Sequence, residues 1–124
     1  MEEVSTMKIV IPYLPKSLNK IIRMKRILIR LYYRECKHYI QWLIKSKKRK
    51  PDKPYKKAKI FITFTFPDNK ARDLDNYIGG CKGFIDGIKK EGIIEDDSWQ
   101  KLRVGFKGER GKKAMTTIDI EEIK

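Results

Sequence analysis

The chain has 124 residues and carries 30 Lys and Arg against 16 Asp and Glu, a formal net charge of +14 at pH 7. Hydrophobic residues make up 40% and charged residues 37%, which predicts one soluble globular domain over residues 1–124 rather than a disordered chain. No apolar run approaches the roughly 20 residues of a membrane span, and the start MEEVSTMKIV is unlike a signal peptide, so we expect no membrane partner. Cys36 and Cys81 are too few for a disulfide framework or a zinc site, so we expect a reducing cytoplasm.

The first half of the chain predicts a strand, a helix and a basic linker. Residues 7–14, MKIVIPYL, are typical of a strand, and Pro12 indicates an edge position or the strand's end. Residues 15–20 are typical of a loop, whereas residues 31–46 show the apolar spacing of a helix. Residues 45–57, KSKKRKPDKPYKK, are basic and broken by prolines, so we expect a mobile loop there.

The second half predicts three strands and a second helix. Residues 58–66, AKIFITFTF, alternate as a strand does, and residues 75–90 are typical of a helix weakened by two consecutive glycines, with Gly92 as its end. Further strands are expected at residues 101–107 and 114–121. The fold class is therefore predicted as α/β of the α+β kind: a small single domain with a mixed sheet and two main helices packed on it.

The charge is unevenly distributed between the two halves. Residues 16–59 hold 17 Lys and Arg against two acids, whereas residues 68–97 hold eight of the sixteen acids. A basic half indicates a polyanion such as nucleic acid as the partner, because each neutralised phosphate releases counterions. The alternative is a solvated surface that binds nothing specific.

Several of the acids fall on one face of the predicted second helix. At 100° per residue, Asp75, Gly79, Lys82 and Asp86 lie within about 60° of one another. A separate apolar stripe is formed by Ile78, Cys81, Ile85 and Ile88. The helix could thus pack through the stripe and show its charges to a cleft. Alternatively, Lys82 and Asp86 form a simple surface ion pair four residues apart.

Asp73 and Asp75 lie where a turn leads into the helix, and two interpretations remain open. A carboxylate at that position can cap the helix and interact favourably with its dipole, which explains one aspartate better than two. Alternatively, the pair and one of Asp96 or Asp97 form a metal site, because oxygen ligands are those that Mg²⁺ and Mn²⁺ prefer.

The motif RDLDN at residues 72–76, followed by Lys82, Asp86 and the stretch EGIIEDD at residues 91–97, resembles the RusA family of Holliday junction resolvases. The resemblance implies that Asp73, Asp75 and Asp97 are metal ligands for Mg²⁺, with Mn²⁺ as a substitute, and that Lys82 is the catalytic lysine. One departure is that about three extra residues, within YIGGC, separate Lys82 from the DLDN motif. They make nearly one helical turn, which keeps the face but shifts Lys82 along the axis by ~4.5 Å.

The resemblance also implies the function and partners. It predicts a Mg²⁺-dependent endodeoxyribonuclease that resolves four-way DNA junctions by paired nicks, acts as a homodimer and uses no small-molecule cofactor. Apolar residues between 21 and 31 exceed what a small core needs, so we expect part of this segment at the two-fold interface, and we expect open edges at both terminal strands. The alternative function is a non-catalytic basic module that binds nucleic acid, in which the acids only cap helices.

Overall fold

The structure, a computed structural model, describes residues 5–47 and 50–123. Within these residues, nine elements follow one another. In order they are β1 (Thr6–Ile11), α1 (Leu18–Ile22), α2 (Arg26–Lys47), β2 (Ala58–Phe66), α3 (Leu74–Ile78), a 3₁₀ turn (Gly79–Cys81), α4 (Lys82–Lys90), β3 (Leu102–Arg110) and β4 (Met115–Glu122).

The four strands form one mixed sheet in the order β1-β4-β2-β3. Strand β4 runs antiparallel to both of its neighbours, whereas β2 and β3 are parallel. One row across the sheet joins Ile9, Ile118, Ile62 and Phe106, and the first three of these side chains are fully buried. The predicted α+β class with a mixed sheet is confirmed.

The alternating residues of the predicted strands form the core of the sheet. Strand β2 has the predicted bounds, and Ile60, Ile62 and Phe64 are fully buried. Strand β1 lies at an edge and ends just before Pro12, as predicted. The expectation of an open edge at residues 114–121 is wrong, because β4 is hydrogen-bonded on both sides, to β1 and to β2.

Helices α2 and α4 pack closely on each other. In α2 the buried residues recur every fourth position, at Tyr32, Cys36, Ile40 and Ile44, and the helix begins five residues before the predicted range. Helix α4 meets this stripe through two glycines. A Cβ atom at Gly83 would lie 2.7 Å from the Cys36 Cβ and one at Gly87 would lie 3.0 Å from the Ile40 Cβ, so larger residues would push the helices apart.

The single helix predicted over residues 75–90 is instead three segments, and tyrosines of α2 explain the break. The Tyr33 hydroxyl donates to the Gly79 carbonyl and the Tyr32 hydroxyl donates to the Gly80 carbonyl, both at 3.3 Å. Gly80 also passes so close to the Lys16 carbonyl that a Cβ would lie 2.3 Å from that oxygen. A short helix, α1, begins at Leu18 within the first predicted loop and is capped by Ser17. The sequence patterns did not indicate this helix.

The basic linker is held at its C-terminal part, so the expectation of a mobile loop is wrong there. Tyr55 is buried, its backbone N–H donates to the Ile93 carbonyl at 2.9 Å, and its carbonyl accepts from the Glu95 N–H at 3.0 Å. Its start, residues 45–47, is the last turn of α2. Two residues of the predicted loop, Lys48 and Arg49, lie outside the described residues.

Glu91 joins the end of α4 to α2 and to the linker. Its side chain is 5% exposed, its Oε1 lies 2.8 Å from the Lys50 ammonium, and its Oε2 accepts from the Gln41 amide at 2.9 Å. Burial alone raises the pKa of Glu91, but the hydrogen bonds from Lys50 and Gln41 outweigh burial, so the pKa lies below the ordinary value. Glu91 therefore fixes the point from which the chain continues into the acidic stretch.

Both cysteines are buried and free. Burial raises the pKa of Cys81 to about 12, so this residue is a neutral thiol near pH 7. Among the described residues, no helix combines the length and apolar character that crossing a membrane requires.

We predict that Gly83→Ala lowers the free energy of unfolding by about 1–3 kcal/mol, because the added methyl group overpacks the contact between α4 and α2. Urea denaturation of the two proteins measures this difference. Lys90→Ala, on an exposed position of the same helix, is the control and should stay within about 0.5 kcal/mol of the parent. Equal stability of Gly83→Ala and the parent would contradict the close packing.

We predict that Glu91→Gln lowers the free energy of unfolding by about 1 kcal/mol at pH 7, because the amide loses the charged interaction with Lys50. Since the folded-state pKa is depressed, the stabilisation is present above the unfolded pKa and is lost as the pH falls through the folded pKa. The difference from the parent should therefore shrink at pH values below about 4. Urea denaturation at pH 7 and pH 3, with exposed Glu35→Gln as the control, measures it.

Candidate active site

The turn between β2 and α3 is held by an ion pair next to the DLDN motif. Arg72 donates from Nη2 to Asp68 Oδ2 at 2.9 Å, and its guanidinium lies 4.7 Å from the ring centroid of Phe66, the last residue of β2. The hydrogen bond from Arg72 holds the pKa of Asp68 well below its usual range. The turn is therefore anchored to the end of the strand, and it delivers Asp73 to the start of α3.

Asp73 and Asp75 lie at the N-terminus of α3. Asp73 is the N-cap residue, and its backbone carbonyl accepts from the Asn76 N–H at 3.1 Å. Its side chain makes no capping hydrogen bond, so the capping interpretation accounts for its position but not for its carboxylate. Both side chains are exposed, and within the described part of the chain neither carboxylate has a hydrogen bond or an ion pair.

Lys82 begins α4 and is separated from Asp75 by the 3₁₀ turn. Its ammonium lies 5.8 Å from the ring centroid of Tyr33 on α2, and its side chain is exposed. A 3₁₀ turn rotates by about 120° per residue instead of 100°, which displaces Lys82 by roughly 60° from its place in a continuous helix. This rotation by itself leaves Lys82 within about 40° of Asp75. The two residues nevertheless belong to different helices, α3 and α4, so the prediction of one continuous helix that carries both is wrong.

A cleft of about 340 Å³ between α4 and β3 brings together some of the predicted site residues. Its charged lining residues are Lys82, Asp86 and Asp97, and Asp73 and Asp75 are not among its lining residues. Its remaining walls are Ile78, Gly79, Ile85, Leu102, Val104 and Phe106. The structure thus places the lysine with the acid of the second cluster, in a cleft with largely apolar walls.

Lysines partner the acids of the second cluster. The Lys89 ammonium lies 3.3 Å from Asp97 Oδ1 and 3.7 Å from Asp96 Oδ1, and Lys101 pairs with Glu95. The hydrogen bond to Asp97 raises the pKa of Lys89. The pKa of Asp96 is lowered, first by a hydrogen bond with the Ser98 side chain. These pairs are solvent-exposed, so each contributes little to stability but offsets the mutual repulsion of the acids.

Lys89 is the residue of this site that the sequence patterns missed. It precedes Asp97 by eight residues, and the chain between them includes the end of α4 and the turn at Gly92, whose φ is 77°. No helical spacing predicts a contact across such a turn. The sequence offers one signal for Lys89, its place in the basic last turn of α4, and basic residues are typical of the last turn of any helix.

The three predicted metal ligands suit a divalent ion by their chemistry but are not gathered around one point within the described residues. Asp73, Asp75 and Asp97 offer exposed carboxylate oxygens, which suit hard cations such as Mg²⁺. Within residues 5–47 and 50–123, however, no three His, Cys, Asp or Glu side chains stand close enough to share a metal ion. The chemistry of the ligands fits, whereas Asp97 is paired with Lys89 and lies in a cleft that the other two acids do not line.

A larger cleft of about 710 Å³ is lined by residues of the edge strand β1 and of its neighbour β4. It is lined by Lys8, Lys47, Asp119 and Glu121 together with three less polar residues of the two strands. None of the predicted site residues lines it. The smaller cleft is therefore the candidate active site, because it combines the predicted lysine with one predicted metal ligand.

The comparisons with known proteins identify the family. The family model described as endodeoxyribonuclease RusA matches residues 12–121, which include the DLDN motif, helices α1 to α4 and the acidic stretch. No curated protein matches the chain. RusA nucleases generally depend on divalent metals and act on branched DNA junctions. Since the match extends over most of its length, the chain belongs to the RusA family of endodeoxyribonucleases, which resolve Holliday junctions.

Proposed function

We propose that the protein is a Mg²⁺-dependent nuclease that resolves four-way DNA junctions by paired nicks. The observation that carries the proposal is that Lys82 and Asp97 share one cleft, while Asp73 and Asp75 present unpaired carboxylates at the start of α3. The same residues, in this order along the chain, carry the resemblance to the family, with about three extra residues before Lys82. Mn²⁺ is the alternative ion, since it accepts the same oxygen ligands.

Each of the four residues has a role that follows from its charge and position. Asp73, Asp75 and Asp97 would hold the metal, which when bound supplies a polarised water and stabilises charge on the phosphate. Lys82 lines the cleft and would there neutralise negative charge that develops on the phosphate. Lys89 is paired with Asp97 in the free protein and would have to release that carboxylate when the metal binds.

The basic half of the chain supplies affinity for the DNA backbone. Residues 16–59 have a net charge of +15, and α2 exposes arginines at positions 26, 30 and 34. Such a surface attracts phosphates of any sequence, and its binding weakens steeply as salt increases. Specificity for a junction therefore requires contacts other than these charges.

The alternative is a non-catalytic module that binds branched DNA without cutting it. One observation favours this function: the three proposed ligands are not gathered within the described residues, and Asp97 is already paired with Lys89. Membership of a nuclease family favours catalysis. Cleavage of a labelled four-way junction in Mg²⁺ and in EDTA separates the two functions, because the module would bind in both conditions and cut in neither.

We predict that Asp75→Asn lowers junction cleavage by at least roughly 100-fold and leaves junction binding in EDTA unchanged, because the amide keeps the size of the side chain but loses the charge that a metal needs. Asp73→Asn and Asp97→Asn should behave alike, whereas Asp96→Asn should be milder, since Asp97 and not Asp96 lines the cleft. Exposed Asp52→Asn is the control for loss of one acid. Full cleavage by Asp75→Asn at saturating Mg²⁺ would contradict its role as a ligand.

We also propose that two copies pair through the apolar surface of α1 and the start of α2. Ile22 and Ile27 are 67% and 66% exposed, and the exposed apolar residues Leu18, Leu28 and Leu31 are their neighbours along the chain. Of the residues expected at the interface, Ile21 belongs to the core instead, because it is only 3% exposed. Clusters of this kind on a small protein are typical of interaction surfaces, and a two-fold pair would set two sites against opposed strands.

We predict that the double substitution Ile22→Glu and Ile27→Glu converts a dimer of twice 14.7 kDa to a 14.7 kDa monomer, because buried charges without partners oppose association. Sedimentation equilibrium at micromolar protein measures the mass. Val10→Lys, on the exposed side of edge strand β1, is the control for pairing through the sheet edge and should leave the dimer intact. A parent that is monomeric at every concentration would disprove the pairing of free protein.

A further inference from the structure

Trp99 is the most exposed of the large apolar side chains in the described part of the chain, at 82%. Tryptophan is highly buried on average in folded proteins, so an exposed fraction this large indicates a side chain that contacts a partner. The residue stands in the short turn between Asp97 and Leu102, and both of these line the candidate active site. Two peptide units join Asp97 to Trp99, so their Cα atoms are at most about 7.6 Å apart.

The turn that presents Trp99 is held from both sides. The backbone N–H groups of Lys101 and Leu102 donate to the Ser98 carbonyl at 3.0 Å and 2.9 Å. The Lys101 side chain forms an ion pair with Glu95 on the other arm of the turn. The indole is therefore displayed beside the cleft by a structured turn, and its exposure does not result from a frayed end.

The surroundings of Trp99 favour nucleic acid over protein as its partner. Residues 95–97, which precede it, are acidic, and Lys101 and Arg103 follow it. So many charges are unlike the core of a protein interface, from which charged residues are depleted. The exposed apolar residues proposed for dimer contact are on α1 and α2, elsewhere in the chain. Lys101 is paired with Glu95, whereas exposed Arg103 has no ion pair within the described residues. An exposed aromatic ring near a free cation suits the bases of unpaired DNA, which proteins bind by stacking combined with phosphate contacts.

We propose that Trp99 stacks on a base that is unstacked at the branch point, next to the phosphate that the cleft receives. A linear duplex hides its base faces within the helix, whereas a junction interrupts the stack where its arms meet. Trp99 thereby distinguishes branched DNA from duplex, which the basic surface cannot do because phosphates are common to both. The inference rests on the proposed function only in taking branched DNA as the substrate.

Two single-tryptophan variants test the contact directly, since the chain has only two tryptophans. Trp42→Phe leaves Trp99 as the fluorophore, and Trp99→Phe leaves Trp42, which is 60% exposed on α2 and serves as the matched control. Each is titrated in EDTA with a synthetic four-way junction and with a duplex of the same sequence. We expect the junction at saturation to quench Trp99 and not Trp42, and the duplex to quench neither.

Affinity gives a second measurement. We expect Trp99→Ala to weaken junction binding in EDTA by roughly tenfold and to leave duplex binding unchanged, with Trp99→Phe close to the parent because a ring remains to stack. Since the side chain is exposed, its removal leaves no cavity, and an unchanged melting temperature verifies this.

Two binding results would overturn the proposal: fluorescence of Trp99 that a saturating junction does not quench, or an equal loss of affinity for junction and duplex in Trp99→Ala. A third would be a dimeric parent whose Trp99→Ala variant sediments as a monomer, since the indole would then be a contact between protein copies. If the parent binds and cuts junctions while the fluorescence of Trp99 is not quenched, the stacking proposal is wrong and the proposed nuclease function is supported. If the parent neither binds nor cuts junctions, both fail.

Discussion

The absence of side chains at Gly83 and Gly87 lets α4 approach α2 so closely that the position of α4 is fixed relative to α2. A Cβ at Gly83 would lie 2.5 Å from the Tyr33 carbonyl oxygen, a separation that no packed side chain tolerates. With this side of α4 held against α2, Lys82 and Asp86 are left to face β3, where they line the cleft. The position of the candidate site thus depends on a helix contact that itself contains no polar chemistry.

Charge balance separates the two acidic clusters of the chain. In the second cluster the carboxylates have cationic partners: Lys101 on Glu95 and Lys89 on Asp97. In the first, Asp73 and Asp75 have none within the described residues. Two carboxylates ~4 Å apart repel by about 4 kcal/mol at an effective dielectric of 20, and exposure to water lowers that cost. An added cation therefore stabilises the first cluster most, because its carboxylates have no cationic partner to lose. In the second cluster a metal ion would replace a lysine that is already paired.

The sequence predicts those parts of the fold that depend on local periodicity. Strand β2 has its predicted bounds because alternation over nine residues has no helical equivalent, and Gly92 ends α4 because its φ of 77° suits glycine alone. The two consecutive glycines indicated a weak point in the predicted helix but not a break, since the hydroxyl that bonds the Gly79 carbonyl belongs to Tyr33, 46 residues earlier. Likewise the pairing of Lys89 with Asp97 depends on a turn whose direction the sequence does not specify, so the site residues could be named but not assembled.

The 3₁₀ turn also determines which part of the site can move at low cost. None of the five residues of α3 is buried, whereas α4 buries four, including Phe84 and Ile88. A five-residue helix is unstable by itself, because nucleation is unfavourable and few hydrogen bonds follow it. Leu74, Tyr77 and Ile78 of α3 are only partly buried against the core, so displacing α3 exposes less apolar surface than displacing α4, which would open the core. If Asp73 and Asp75 join Asp97 around one ion, the movement belongs to α3 and the turn after it, and Lys82 stays where α4 holds it.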